Sequence, residues 1–88
     1  MVLNLAAYHF VAIADADALA DRLRERLTAD ALRGTVLVTP EGINLFLAGA
    51  PDVLRGVVAW LRSDARFAGL VVKWSESEHL PFKRLRVK

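Results

Sequence analysis

The sequence predicts an α+β domain of ferredoxin-like βαββαβ type, one antiparallel sheet with two helices on one face. Three observations predict it. Two segments carry apolar side chains at helical spacing, four others are rich in branched and aromatic residues, and a Pro-Glu-Gly turn separates the middle pair of strands. At 88 residues the chain holds one hydrophobic core, so residues 1–88 are expected to form one domain.

The first strand is read over residues 3–13, from Leu3 through Tyr8, His9 and Phe10 to Ile13. Asp15 and Asp17 then stand where carboxylates cap a helix and favour the positive end of its dipole. Leu19, Leu23 and Leu27 recur every four residues beside Ala16, Ala20 and Ala31, with Arg22, Arg24, Glu25 and Arg26 between them. This predicts an amphipathic helix ending near Leu32, with Gly34 reversing the chain. Strands are expected over 35–39 and 43–48, joined at Pro40-Glu41-Gly42 with Gly42 at positive φ. Pro51 suits the first turn of a second helix. There Leu54, Val57, Val58 and Leu61 form an apolar stripe that Trp60 widens. A last strand is expected from Leu70 to Ser75.

Composition narrows the functional classes. With 55% hydrophobic and 25% charged residues the chain is expected to be globular and soluble. No apolar run reaches the roughly 20 residues that span a bilayer, and no secretory signal is visible at Met1-Val2-Leu3-Asn4. The absence of cysteine removes disulfides, thiolate ligands and a cysteine nucleophile from these residues. A cytoplasmic location and no membrane partner are the resulting expectations.

Charge is unevenly placed. Residues 1–82 hold eight Lys and Arg against ten Asp and Glu, a net −2, while Lys83, Arg84, Arg86 and Lys88 add +4 in the last six positions. Leu85 and Val87 alternate with these cations as in an unfinished strand. We read this as a basic seam and expect the chain to be one domain of a longer protein. The bland reading is an edge strand whose cations discourage aggregation. A second patch is expected on the open sheet face. The first and third strands place apolar residues at both parities (Tyr8 and Phe10 against Leu5, Phe46 against Leu45), which points to an interaction surface.

Catalytic chemistry is hard to find. His9 and His79 are the only imidazoles and lack companion ligands, so neither metal nor cofactor is expected. Glu41 has no visible partner to tune it as an acid or base. Acylphosphatase binds a phosphoryl group on a glycine-rich loop after its first strand. Here that loop, Ala12-Ile13-Ala14-Asp15-Ala16-Asp17, has two acids and no glycine. RNA contact has more in its favour: four terminal cations for phosphates, Phe82 beside them, and Tyr8, Phe10 and Phe46 to stack bases as sheet aromatics do in RNA-recognition modules.

Four segments together carry a resemblance: Asn4 to Val11, Gly34 to Asn44 with Pro40-Glu41-Gly42-Ile43-Asn44 at its end, Trp60-Leu61-Arg62, and Pro81 to Lys88 with Pro81-Phe82-Lys83-Arg84 at its start. In order and spacing the chain resembles the N-terminal domain of bacterial rhodanese-related proteins whose studied members are oxygen-dependent tRNA uridine hydroxylases, makers of 5-hydroxyuridine at the wobble position. The resemblance implies an acylphosphatase-like accessory domain. A C-terminal rhodanese domain carrying the reactive cysteine would follow it, tRNA would be a partner, and no catalytic residue would lie in this chain. The implied candidate contacts to RNA or the next domain are Glu41, Asn44, Phe82, Lys83, Arg84, Arg86 and Lys88. Family members commonly follow the Asn44 position with Gly-Thr, and this chain has Leu45-Phe46, which leaves a rhodanese-type sulfurtransferase open beside the hydroxylase. An acylphosphatase-like small-molecule hydrolase is the remaining alternative, and it requires an anion pocket with a convergent Arg and Asn.

Overall fold

A computed structural model describes all 88 residues. In chain order the elements are β1 (Val2–Phe10), α1 (Ala16–Ala29), β2 (Arg33–Thr39), β3 (Gly42–Gly49), α2 (Pro51–Arg62), a 3-10 turn (Ala65–Phe67), β4 (Val72–Ser77) and β5 (Leu85–Val87). The sheet runs β4-β1-β3-β2-β5. Its first four strands pair antiparallel in the ferredoxin-like order, with β1 and β3 central. The expected β-α-β-β-α-β chain is therefore present, and β5 is added to it. Because β5 pairs parallel with β2, the whole sheet is mixed rather than purely antiparallel.

Alternation along the strands divides the side chains. Leu3, Leu5 and Ala7 of β1, Val36 and Val38 of β2, and Ile43, Leu45 and Leu47 of β3 face the helices in one cluster of 21 buried residues. Leu19, Ala20, Leu23 and Leu27 of α1 and Leu54, Val57, Val58 and Leu61 of α2 close that cluster. Helix α1 lies over β2 and β5, and α2 over β3 and β1. The Arg26 guanidinium rests 4.9 Å from the Trp60 ring centroid, so Trp60 joins the two helices.

Local chemistry moves several boundaries. Strand β1 stops at Phe10 rather than residue 13, because the Val11 and Ile13 amides donate to the carbonyls of Glu41 and Pro40 in the β2–β3 turn. Strand β4, Val72–Ser77, is shifted two residues from the strand expected over Leu70 to Ser75. The first helix ends at Ala29, three residues before Leu32. Its chain reversal is made by Ala31 at φ 56°, not by Gly34. Leu32 N–H donates to the Leu27 carbonyl and Ala31 N–H to that of Thr28, which closes the helix end as a Schellman motif. Gly34, at φ 137°, lies inside β2, where a Cβ would sit 1.8 Å from the Phe46 carbonyl oxygen. Gly42 does not take a positive φ. It belongs to β3 and lets β1 approach, since a Cβ there would fall 2.4 Å from the His9 carbonyl oxygen.

The two special backbone positions predict opposite effects. Gly34→Ala is expected to lower stability by at least about 2 kcal/mol, because both φ and backbone space exclude a Cβ. Ala31→Gly is expected to raise it by about 1 kcal/mol by relieving the left-handed conformation. Urea unfolding midpoints of the two variants check both signs.

Candidate nucleic-acid interface

The second face of the sheet is built from Asn4, Ala6, Tyr8 and Phe10 of β1, Thr35, Leu37 and Thr39 of β2, and Asn44, Phe46 and Ala48 of β3. Its two halves differ. Strand β4 ends at one edge of the sheet and β5 begins at the other, so residues 78–84 pass across this face. Pro81 and Phe82 in that crossing share a hollow with Asn4, Ala6, Phe46 and Lys73, and Ala48 is completely buried although it points away from the helices. At the start of the crossing, Asn4 Nδ2 donates to Ser77 Oγ, which donates to the His79 carbonyl. Asn4 Oδ1 is buried without a partner.

The other half is bare. Phe10 is 87% exposed, Tyr8 56% and Leu37 39%. Tyr8 and Phe46 meet edge to face, with centroids 5.5 Å apart and planes at 80°. Tyr8, Asn44 and Leu37 are neighbours across three strands, and Lys88 continues the row by pairing its backbone with Val36 and Val38. In the adjacent row Lys73, Ala6, Phe46, Thr35 and Arg86 follow one another from edge to edge. The Asn44 carboxamide is half-buried and is absent from the protein's internal hydrogen bonds.

Electrostatics separate the two sides of the molecule. On the helical side Arg22, Arg24, Arg26, Arg55 and Arg66 are ion-paired, and Arg62 donates twice to the Leu70 carbonyl. The other six cations, Arg33, Lys73, Lys83, Arg84, Arg86 and Lys88, have no carboxylate partner. They lie on the edge strands, at the start of β2 and in the crossing. No strand position on the open face holds Asp or Glu, because Glu76 of β4 pairs with Leu3 and so points to the helical side.

Of the residues expected to make contacts, Arg86 projects to the open face and Lys88 ends the same edge. Arg84 stands at the start of that edge, its carbonyl accepting from Gly34 N–H. Lys83 is exposed in the crossing, and Phe82 packs on the covered half of the sheet. Asn44 lies on the bare half. Glu41 is an exposed turn residue at its end, beside the hollow that Phe10, Leu37 and Asn44 line. Sequence reasoning left Arg33 and Lys73 out of this set. Each is an isolated cation in the chain, and only strand register brings them to the same face.

An anion pocket of acylphosphatase type is not formed. The amides of Val11 and Ile13 are already bonded, and the loop carries Asp15. Instead of capping α1 with its side chain, Asp15 accepts from Arg66 and Arg22. Arg66 also grips Asp64, with Nη2 to Oδ2 at 2.8 Å and Nε to Oδ1 at 3.1 Å. His9 Nε2 lies 2.8 Å from the Arg66 carbonyl. Of the two Arg side chains at the loop, Arg22 is paired with Asp15 and Arg66 with both Asp15 and Asp64, and Asn44 is on the other side of the sheet. No three or more His, Asp or Glu side chains are grouped to hold a metal ion, and no helix is long and apolar enough to cross a membrane.

Together the fold and this face define an acylphosphatase-like α+β domain whose phosphate-loop position is filled and whose sheet surface is basic and aromatic. Consistent with that class, the chain belongs to the UPF0176 acylphosphatase-like domain family, whose model matches residues 2–88. It is 54% identical to a tRNA uridine(34) hydroxylase of Xanthomonas euvesicatoria, a match covering 100% of this chain and 36% of that protein. A protein of the same description from Variovorax paradoxus is 58% identical over 99% of this chain and 33% of its own length. The chain therefore spans about a third of these relatives. Among solved structures, an acylphosphatase from Coxiella burnetii superposes with a TM-score of 0.61 at 15% identity, covering 99% of this chain and 90% of that one. The structure titled BlrP1 BLUF superposes at 0.69 and 19% identity, covering 99% and 64%. At these identities the likeness is one of fold.

The Arg66 clamp sets an acid limit on stability. Hydrogen bonding from the Arg66 side chain, then from its backbone N–H, lowers the Asp64 pKa from 3.8 to about 2, and the Arg66 side chain also lowers that of Asp15. A carboxylate with a lowered folded pKa stabilises above its unfolded value and loses that contribution as pH falls through the folded one. The melting temperature is therefore expected to drop between about pH 4 and pH 2, and Asp64→Asn to flatten that part of the curve. Thermal melts across this range check it.

Proposed function

We propose that this chain is the accessory N-terminal domain of a rhodanese-related tRNA-modifying protein and that it helps hold the tRNA. The parent resembles the oxygen-dependent wobble-uridine hydroxylases, and its chemistry resides in the rhodanese portion beyond residue 88. Relatives described as tRNA uridine(34) hydroxylases support the assignment, and the segregation of six carboxylate-free cations to the sheet edges and the crossing supports tRNA contact. Those cations supply the sequence-independent attraction to phosphate, while the largely ion-paired helical layer offers less.

An interdomain role is the second reading, and the bare apolar half of the sheet favours it. The C-terminal seam itself is less suited to an apolar joint. Val87 is buried in the core, Leu85 packs against it, and Phe82 lies on the sheet. Its cations remain for phosphate.

Titration of the 88-residue chain with unmodified tRNA at several salt concentrations tests the reading. Four phosphate contacts give a log–log salt slope of about −3 to −4. Replacing Arg86 and Lys88 together by Ala is expected to reduce that slope by about 1.5 to 2. Absence of binding at low ionic strength would leave the interdomain role.

A further inference from the structure

Cations explain attraction to any nucleic acid, but they do not account for Tyr8 and Phe10. Both rings stand on β1, an inner strand of the sheet, at 56% and 87% exposure. As alternate residues of one strand they are spaced by about 6.6 Å. Their surroundings are complementary to a polyanion. Lys73 lies one strand away on one side, Arg86 and Lys88 lie at the opposite edge, and no carboxylate stands on the strand positions between them, Glu41 lying in the turn beyond Phe10 at the end of the face.

We propose that the bare half of the sheet binds single-stranded nucleic acid by stacking unpaired bases on Tyr8 and Phe10. The inference rests on the tRNA-holding function above and specifies which part of the nucleic acid this face takes. A duplex keeps its base faces inside the helix and cannot use exposed rings, whereas unpaired nucleotides can splay onto them. Phe46, set edge to face against Tyr8, fixes the orientation of that ring. Asn44 is directly opposite Tyr8, and its carboxamide offers a donor and an acceptor to a base edge. Phosphates of the same strand then meet Lys73 on one side or Arg86 and Lys88 on the other.

The test is fluorescence anisotropy of labelled hexauridine and of a labelled 12-base-pair RNA duplex against the 88-residue chain and its variants. Tyr8→Ala and Phe10→Ala are each expected to weaken hexauridine binding about 5- to 100-fold, with the salt slope and duplex binding unchanged. Tyr8→Phe retains a ring and is expected to bind like the parent. Melting temperature confirms folding, and Phe10→Leu provides a second variant that keeps apolar bulk while removing the ring. If the aromatic variants bind hexauridine as the parent does, while loss of Arg86 and Lys88 weakens it, stacking is overturned and the phosphate-holding function stands. If the parent binds neither hexauridine nor tRNA at low salt, both are overturned.

Discussion

The placement of β5 is the constraint on which the rest of this surface depends. β4 and β5 occupy opposite edges, four inter-strand spacings apart, a distance of about 19 Å. Eight Cα-to-Cα steps, from Ser77 to Leu85, must cover it, and these reach at most about 29 Å. The segment has little slack, so it passes directly over the sheet. The helices occupy one face, and the crossing takes the other. It buries Ala48 and seats a half-buried Phe82 at one end and leaves Tyr8 and Phe10 open at the other. The same geometry delivers Arg86 and Lys88 to the face that holds the exposed rings.

A second consequence is electrostatic. Each arginine of the helical layer is occupied by a carboxylate or carbonyl on the same side, so that side has little charge to offer a polyanion. The overall charge of +2 conceals this division. A nearly neutral chain thereby presents one face suited to phosphate and another that is largely self-satisfied. The residues that would make an acylphosphatase-like anion site are spent inside the fold. The first loop gives its amides to the β2–β3 turn, and Arg66 ties that loop to the end of α2 through Asp15 and Asp64.

Much of this was legible in the sequence. The leucine and valine spacing defined both helices, Pro51 marked the start of the second, and the double apolar parity of β1 and β3 anticipated the exposed rings. What escaped depended on distant partners. Nothing near Ala31 announces a left-handed residue, because its conformation is held by the Leu32 N–H bond to the Leu27 carbonyl. Gly34 and Gly42 looked like turn glycines, yet each is required by the backbone of a neighbouring strand. Lys73 and Arg33 reach the open face only through the registers of β4 with β1 and of β2 with β3. The parallel pairing of β5 could not be read from three alternating residues.

Stability is unevenly distributed in such a chain. Strand β5 has three residues, one of them buried, and joins the sheet through a single edge, while β1 and β3 are paired on both sides. The crossing before it is mostly solvent-exposed and contains Pro81, which has no amide to donate. The last ten residues thus have fewer constraints than the central strands, and their amides are expected to exchange with solvent ahead of those of β1 and β3. When residues 78–84 alone lift, Asn4, Ala48 and Phe46 come into contact with solvent beside the exposed rings, while Val87 keeps its place in the core.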